Sequence, residues 1–293
     1  EKITMAKGKI IAITNEKGGV GKSTTATAVA TVASQLFNKR VLIIDVDQQG
    51  NTSKNNSSSE QNKLINFRNY LQEWNPEKIS QGETISDVLM RKASIEEIIV
   101  KTKYENLDLI KADIQLNIAK QYITASANHL KSIINPLLEK YDLIIYDTPP
   151  ATDNMLTNVL NSANECYIPI TPEKQAIDGM LITAYFINQQ RKLDNPELNY
   201  KVFFNKVDYR IKAHKQTIED IYAVDTNREN AILSEIPGNH MMQTIIRNQA
   251  DIVDNENSYD DIHFTLIEGH RRSKIADEYV ALTREILGGE GNV

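Results

Sequence analysis

The sequence predicts an α/β fold, a mostly parallel twisted sheet with helices on both faces. Three observations carry this expectation. A glycine-rich stretch, Lys17-Gly18-Gly19-Val20-Gly21-Lys22-Ser23-Thr24, joins an apolar run at residues 9–14 to a helical pattern of Ala26, Val29, Ala30, Ala33 and Phe37. Two further apolar runs, Val41-Leu42-Ile43-Ile44 and Leu143-Ile144-Ile145-Tyr146, each lead directly into an aspartate, Asp45 and Asp147. Runs of continuous apolar residues are what strands buried on both faces require.

The elements follow in chain order. Strand, glycine loop and helix come first, then the strand ending at Asp45, followed by Asp47-Gln48-Gln49-Gly50-Asn51. Residues 54–63 are polar and low in complexity, so a mobile insertion is expected near 52–82, with a helical piece at 65–74 whose Trp74 packs as a cover. Short amphipathic helices are expected at 85–89 and 95–99, strands at 107–110 and 143–147, a strand and the loop after it over 166–173, and a strand with polar residues at its exit over 202–208. Asp142, ahead of its apolar run, reads as a structural residue at a strand start; Pro149 and Pro150 end that strand by removing backbone donors. The chain of 293 residues, 41% hydrophobic, is expected to form a single domain over 1–293 with a flexible glycine-rich tail at 288–293.

The loop's chemistry is that of phosphate binding. Gly18, Gly19 and Gly21 let the backbone turn tightly and aim N–H groups at phosphate oxygens. Lys22 can reach the β- and γ-phosphates, Ser23 can offer its hydroxyl to Mg²⁺, and Thr24 lies in the first turn of a helix whose N-terminus favours anions. Glu16 stands where the ordinary G-x-x-x-x-G-K-[ST] pattern has glycine, and a second lysine, Lys17, precedes Lys22 by five positions.

That element resembles the deviant-Walker ATPases, the family of the ParA and Soj partition proteins, MinD and the nitrogenase iron protein. The resemblance implies that Lys17 reaches across a nucleotide-sandwich homodimer to the partner's phosphates. It further implies that Asp47 orients the attacking water, that Asp45 organises the metal shell, and that Asp147 holds Mg²⁺, with ATP as the nucleotide. The stretch 45–51 is similar to the family's Asp-Pro-Gln-Gly-Asn motif without its proline, and 141–151 is similar to its Walker B region. By family position the resemblance makes Asn205 and Pro237 candidate adenine contacts, while an Asn at a strand end is also a common turn residue.

Composition narrows the branch. Cys166 is the lone cysteine, which excludes a disulfide framework, a Cys-x-x-Cys site and cluster ligation of the nitrogenase type. The first residues carry no apolar leader core and no run of about 18 apolar residues occurs, so a cytoplasmic protein is expected. With the loop starting near Glu16, the chain resembles the shorter partition ATPases that lack an N-terminal helix-turn-helix, including the delta-type ATPases of Gram-positive plasmids.

A net charge of −6 means that any DNA surface must be a local patch. Lys201, Lys206, Arg210, Lys212 and Lys215 cluster with Asp208 as their only acid, Arg247 follows, and Arg271, Arg272 and Lys274 open the final helix. For charge runs in general a solvated face is the commoner reading; the resemblance to Soj-like proteins implies non-specific duplex binding by ATP-bound dimers. It also implies a small centromere-binding partner of ParB or ribbon-helix-helix type that stimulates slow hydrolysis, and association with the nucleoid in the ATP state. Two alternatives are a MinD-like surface-positioning ATPase and a small-molecule P-loop synthetase or kinase. The final helix, 276–287, is not enriched in basic residues, which disfavours a membrane anchor. The five histidines, His129, His214, His240, His263 and His270, are scattered and form no substrate constellation.

Overall fold

A computed structural model describes residues 8–47, 84–102, 104–113, 115–123, 127–226, 240–248 and 274–289. The 52–82 insertion, Trp74, Pro237, Arg271, Arg272 and the tail beyond Gly289 lie outside the described residues.

Seven strands form one sheet in the order β3-β4-β2-β5-β1-β6-β7. They are β1 (Lys9–Ile13), β2 (Val41–Asp45), β3 (Val100–Lys101), β4 (Leu107–Ile110), β5 (Leu143–Asp147), β6 (Glu165–Ile170) and β7 (Asn199–Phe204). All pairings are parallel except β3 with β4. The helices are α1 (Lys22–Gln35), α2 (Ile85–Leu89), α3 (Leu116–Ala119), α4 (His129–Ile134), α5 (Asn154–Ser162), α6 (Lys174–Leu193), α7 (Lys212–Thr226) and α8 (Lys274–Ile286).

The apolar strands are buried on both faces because successive side chains point to opposite sides. Ile10, Ala12, Leu42, Ile44, Ile144 and Tyr146 face a core that includes Leu130, Leu156 and Met180 from α4, α5 and α6. Ile11, Ile13, Val41, Ile43, Leu143 and Ile145 face the opposite core, with Val29 and Val32 of α1 and Tyr279 and Leu282 of α8. The sheet is thus a wall with a helical layer on each side, as the sequence predicts.

Local chemistry sets the element ends. In α5, Asp153 accepts from the Met155 and Leu156 N–H groups, while the Asn195 amide donates to the Leu160 and Ala163 carbonyls at the other end. Thr84 and Asp87 form a capping box on α2. Asp142 accepts from both the backbone N–H and the guanidinium of Arg40, pinning the starts of β2 and β5 together.

Two sequence expectations need correction. Residues 95–98 form a turn and not a helix: Ser94 N–H and hydroxyl both donate to Glu97, closing one turn, and a five-residue segment bears the cost of helix nucleation without the length to offset it. The chain then enters β3, a two-residue antiparallel edge too short to leave a sequence signal, where Lys101 pairs with Asp108. Phe37, placed in the first helical pattern, lies two residues beyond the end of α1. Outside the named strands, residues 240–248 run alongside β7, bonding to Val202, Phe204 and Val207.

Candidate functional site

The phosphate loop leaves β1 at the C-terminal edge of the sheet, where open α/β folds place their ligands. Thr14 N–H donates to the Tyr167 carbonyl, and the Asn15 amide donates to Pro169 O, so the loop's entry is tied to β6. Gly19 and Gly21 have φ of +78° and +89°, which side chains rarely adopt. Gly21 is the N-cap of α1, and its carbonyl accepts the helix's first bond from Thr25 N–H at 2.9 Å.

The two lysines of the loop point to different places. Lys22 is 7% exposed, and its Nζ curls back onto the carbonyls of Asn15 (2.9 Å) and Lys17 (3.1 Å). Burial lowers its pKa, and the nearby Asp147 and Asp47 carboxylates push the other way. Lys17 turns outward, and its Nζ donates to Gln175 on α6 at 2.7 Å.

The aspartates converge on the same edge. Asp45 and Asp147 are partners in the β2–β5 register. The Ser23 hydroxyl donates to Asp147 Oδ1 at 3.2 Å, Asp47 N–H donates to Asp45 Oδ1 at 2.8 Å, and Val46 N–H donates to the Asp147 carbonyl at 3.0 Å. A hydroxyl and two carboxylates form a hard oxygen donor set that suits Mg²⁺. No group of three or more His, Cys, Asp or Glu gathers among the described residues.

Sequence reasoning missed how α6 supports this loop. Thr183 Oγ1 accepts from Glu16 N–H at 3.0 Å, Gln175 holds Lys17, and Gly179 lies between them at helical spacing. A Cβ on Gly179 would come within 3.0 Å of Lys17 Cβ and 3.1 Å of Asn15 Oδ1. The signal was a lone glycine inside an otherwise helical pattern, which marks close approach of another backbone.

The candidate base and DNA contacts are divided by the structure. Asn205 is buried, and its amide donates to Val20 O at 2.8 Å. Lys206 Nζ donates to Gly19 O at 2.7 Å, which places its ammonium on the loop. Arg210 chelates Asp208. Arg247 pairs with Glu278 of α8 at 2.7 Å and lies over the Tyr209 ring. Lys212 and Lys215 are exposed in the first turn of α7, and exposed Lys274 opens α8 one turn before Glu278. Three segments distant in sequence, at 208–215, 247 and 274–278, therefore share one surface.

Comparison with known proteins agrees with this geometry. A family model described as an AAA domain matches residues 8–200. The sporulation initiation inhibitor protein Soj of Bacillus subtilis is 31% identical over 218 residues, covering 73% of this chain and 79% of Soj. The chain belongs to the ParA/Soj family of partition ATPases. Solved structures add the fold around a nucleotide. A plasmid partition protein of Borrelia burgdorferi B31 bound to AMPPNP is 24% identical, with a TM-score of 0.68 over 98% of this chain and 100% of that one. Cobyrinic acid a,c-diamide synthase of Mycobacterium smegmatis, bound to an ATP analogue and magnesium, is 21% identical, with a TM-score of 0.68 over 97% of each chain. As a ParA/Soj family member the chain is a P-loop ATPase, with its deviant loop, β2 and β5 all inside the matched region.

Proposed function

We propose that this ATPase is a Mg²⁺-dependent nucleotide switch for plasmid or chromosome partition. ATP, held by residues 17–24 of each subunit, joins two copies into a sandwich dimer. The dimer binds duplex DNA without sequence preference, and slow hydrolysis, stimulated by a small centromere-binding partner, releases it. In this reading Ser23, Asp45 and Asp147 hold Mg²⁺, Lys22 neutralises the β- and γ-phosphates, and Asp47 orients the attacking water. Mg²⁺ held there would offset the charge of the nucleotide phosphates. The protein would be cytoplasmic and nucleoid-associated in the ATP state; among the described residues no helix is long and apolar enough to cross a membrane.

One observation carries the dimer. Lys22 satisfies its own loop from within, while Lys17 directs its ammonium away from that loop to the outer face of α6. A lysine so placed can neutralise a second subunit's triphosphate at little conformational cost. Nucleotide contacts that need two subunits also make a slow enzyme on its own, as in switches whose hydrolysis is completed in trans.

The shared basic surface supports the DNA step. Lys212 and Lys215 stand at the positive end of the α7 dipole, and no acid accompanies them in the first turn. They cost helix stability there, which an external anion would reverse. Dimerisation would double these phosphate contacts and join them rigidly, linking nucleotide state to DNA affinity.

The test is the molar mass in solution with ATP. Asp47→Ala should accumulate as an ATP-dependent dimer, and Lys17→Ala added to it should return it to monomer. A double variant that dimerises as readily as Asp47→Ala would remove the cross-subunit role.

A further inference from the structure

Asn205 and Lys206, consecutive residues at the exit of β7, each grip a consecutive carbonyl of the phosphate loop. The buried Asn205 amide donates to Val20 O at 2.8 Å, and Lys206 Nζ donates to Gly19 O at 2.7 Å. The grip is built in from below. Asn205 N–H donates to Ile170 O at 2.7 Å, and Asn205 Oδ1 accepts from Lys206 N–H at 2.9 Å. Lys206 has φ of +57°, a left-handed conformation that costs a non-glycine residue free energy and persists only where surroundings impose it. Gly21 completes the fit, since a Cβ there would stand 2.4 Å from Asn205 Nδ2.

The consequence follows from peptide geometry. No cis peptide bond occurs among the described residues, and in a trans peptide the N–H points opposite to the C=O. With Gly19 C=O turned to Lys206, the Val20 N–H points the other way. With Val20 C=O turned to Asn205, so does the Gly21 N–H. Two consecutive peptide planes thus turn their donors away from β7, as a loop that cradles an anion requires.

We propose that Asn205 and Lys206 form a clasp that sets the phosphate loop in its anion-accepting shape, making Lys206 a positioning residue for the nucleotide phosphates and not a DNA contact. The lysine's positive charge also lies against the loop, favouring a polyanion there. This role requires only that the loop binds nucleotide; it does not depend on the dimer or on DNA. The clasp acts on the loop as a whole, so ATP and ADP should be affected alike, unlike a group that senses the γ-phosphate.

Lys206→Gly separates function from fold. Glycine relieves the left-handed strain, so the nucleotide-free variant should melt at the wild-type temperature or above. Its affinity for ATP and for ADP, titrated by calorimetry with Mg²⁺, should fall by about tenfold, the loss of one charge-assisted hydrogen bond. Lys206→Arg, which can still donate to Gly19 O, should recover most of that loss. Wild-type ATP and ADP affinity in Lys206→Gly, within twofold, would overturn the clasp. So would a Lys206→Arg variant as weak as Lys206→Gly, or normal nucleotide affinity combined with weakened DNA binding.

Discussion

Asp45 and Asp147 are register partners on adjacent parallel strands, so both carboxylates leave the sheet at one level of its C-terminal edge, beside the Ser23 hydroxyl. The pairing follows from two apolar runs aligned residue for residue, from Val41 with Leu143 to Asp45 with Asp147. In the proposed Mg²⁺ site, sheet register thereby sets the spacing of the two carboxylates.

Asp147→Asn should weaken ATP binding in the presence of Mg²⁺ by tenfold or more while changing metal-free ATP binding by less than threefold, because the substitution removes a charge that an ion requires. Titrations with Mg²⁺ and with a chelator measure both. Equal losses in the two conditions would show that Asp147 acts on the loop through Ser23 alone.

Hydrolysis and binding should separate by residue. Lys22→Ala should abolish nucleotide use, since no other described side chain occupies the carbonyl cage of Asn15 and Lys17. Asp47→Ala should retain ATP-dependent association and lose turnover by at least 100-fold, in line with general-base and water-positioning contributions. Normal phosphate release from Asp47→Ala would remove it from the reaction.

Gly21→Ala should cost about 2 kcal/mol or more of stability, through positive φ and the 2.4 Å approach to Asn205 Nδ2, and should weaken nucleotide binding further. Denaturant unfolding with and without ATP reads both effects. An unperturbed variant would mean that the loop relaxes freely, against the tight fit at β7.

Much of this arrangement was legible in the sequence because continuous apolar runs and a glycine-rich loop leave strong local signals. β1, β2 and β5, the three strands that carry the site, all lie at the expected positions. What was not legible depends on long-range contact. The grip of Lys206 on Gly19 spans 187 positions, and in sequence Lys206 is one more member of a basic run. The support of Glu16 by Thr183 is similar, since a hydroxyl inside a helix has no marking of its own. The turn at 95–98 failed for the opposite reason, a local amphipathic pattern too short to stand without neighbours.

Asp142 offers a test in pH. The Arg40 guanidinium holds its carboxyl below the ordinary 3.8, so the pair's contribution is fully present above the unfolded value and is lost as pH falls through the lower folded one. Both side chains are over a third or nearly so exposed, so solvent screening limits the effect to about 0.5–1 kcal/mol. Asp142→Asn should therefore be less stable than wild type at pH 7, with the gap closing below about pH 4. A gap independent of pH would place the loss in packing and not in charge.

In the proposed switch, ATP turns this acidic protein into a DNA binder. The most direct measurement is binding to a duplex of arbitrary sequence with ATP, with ADP and without nucleotide, at two salt concentrations. Binding with ATP only, weakening steeply as salt rises and reduced in Lys212→Ala, Lys215→Ala and Arg247→Ala, is the predicted result. No binding in any state, or binding indifferent to nucleotide, would contradict it.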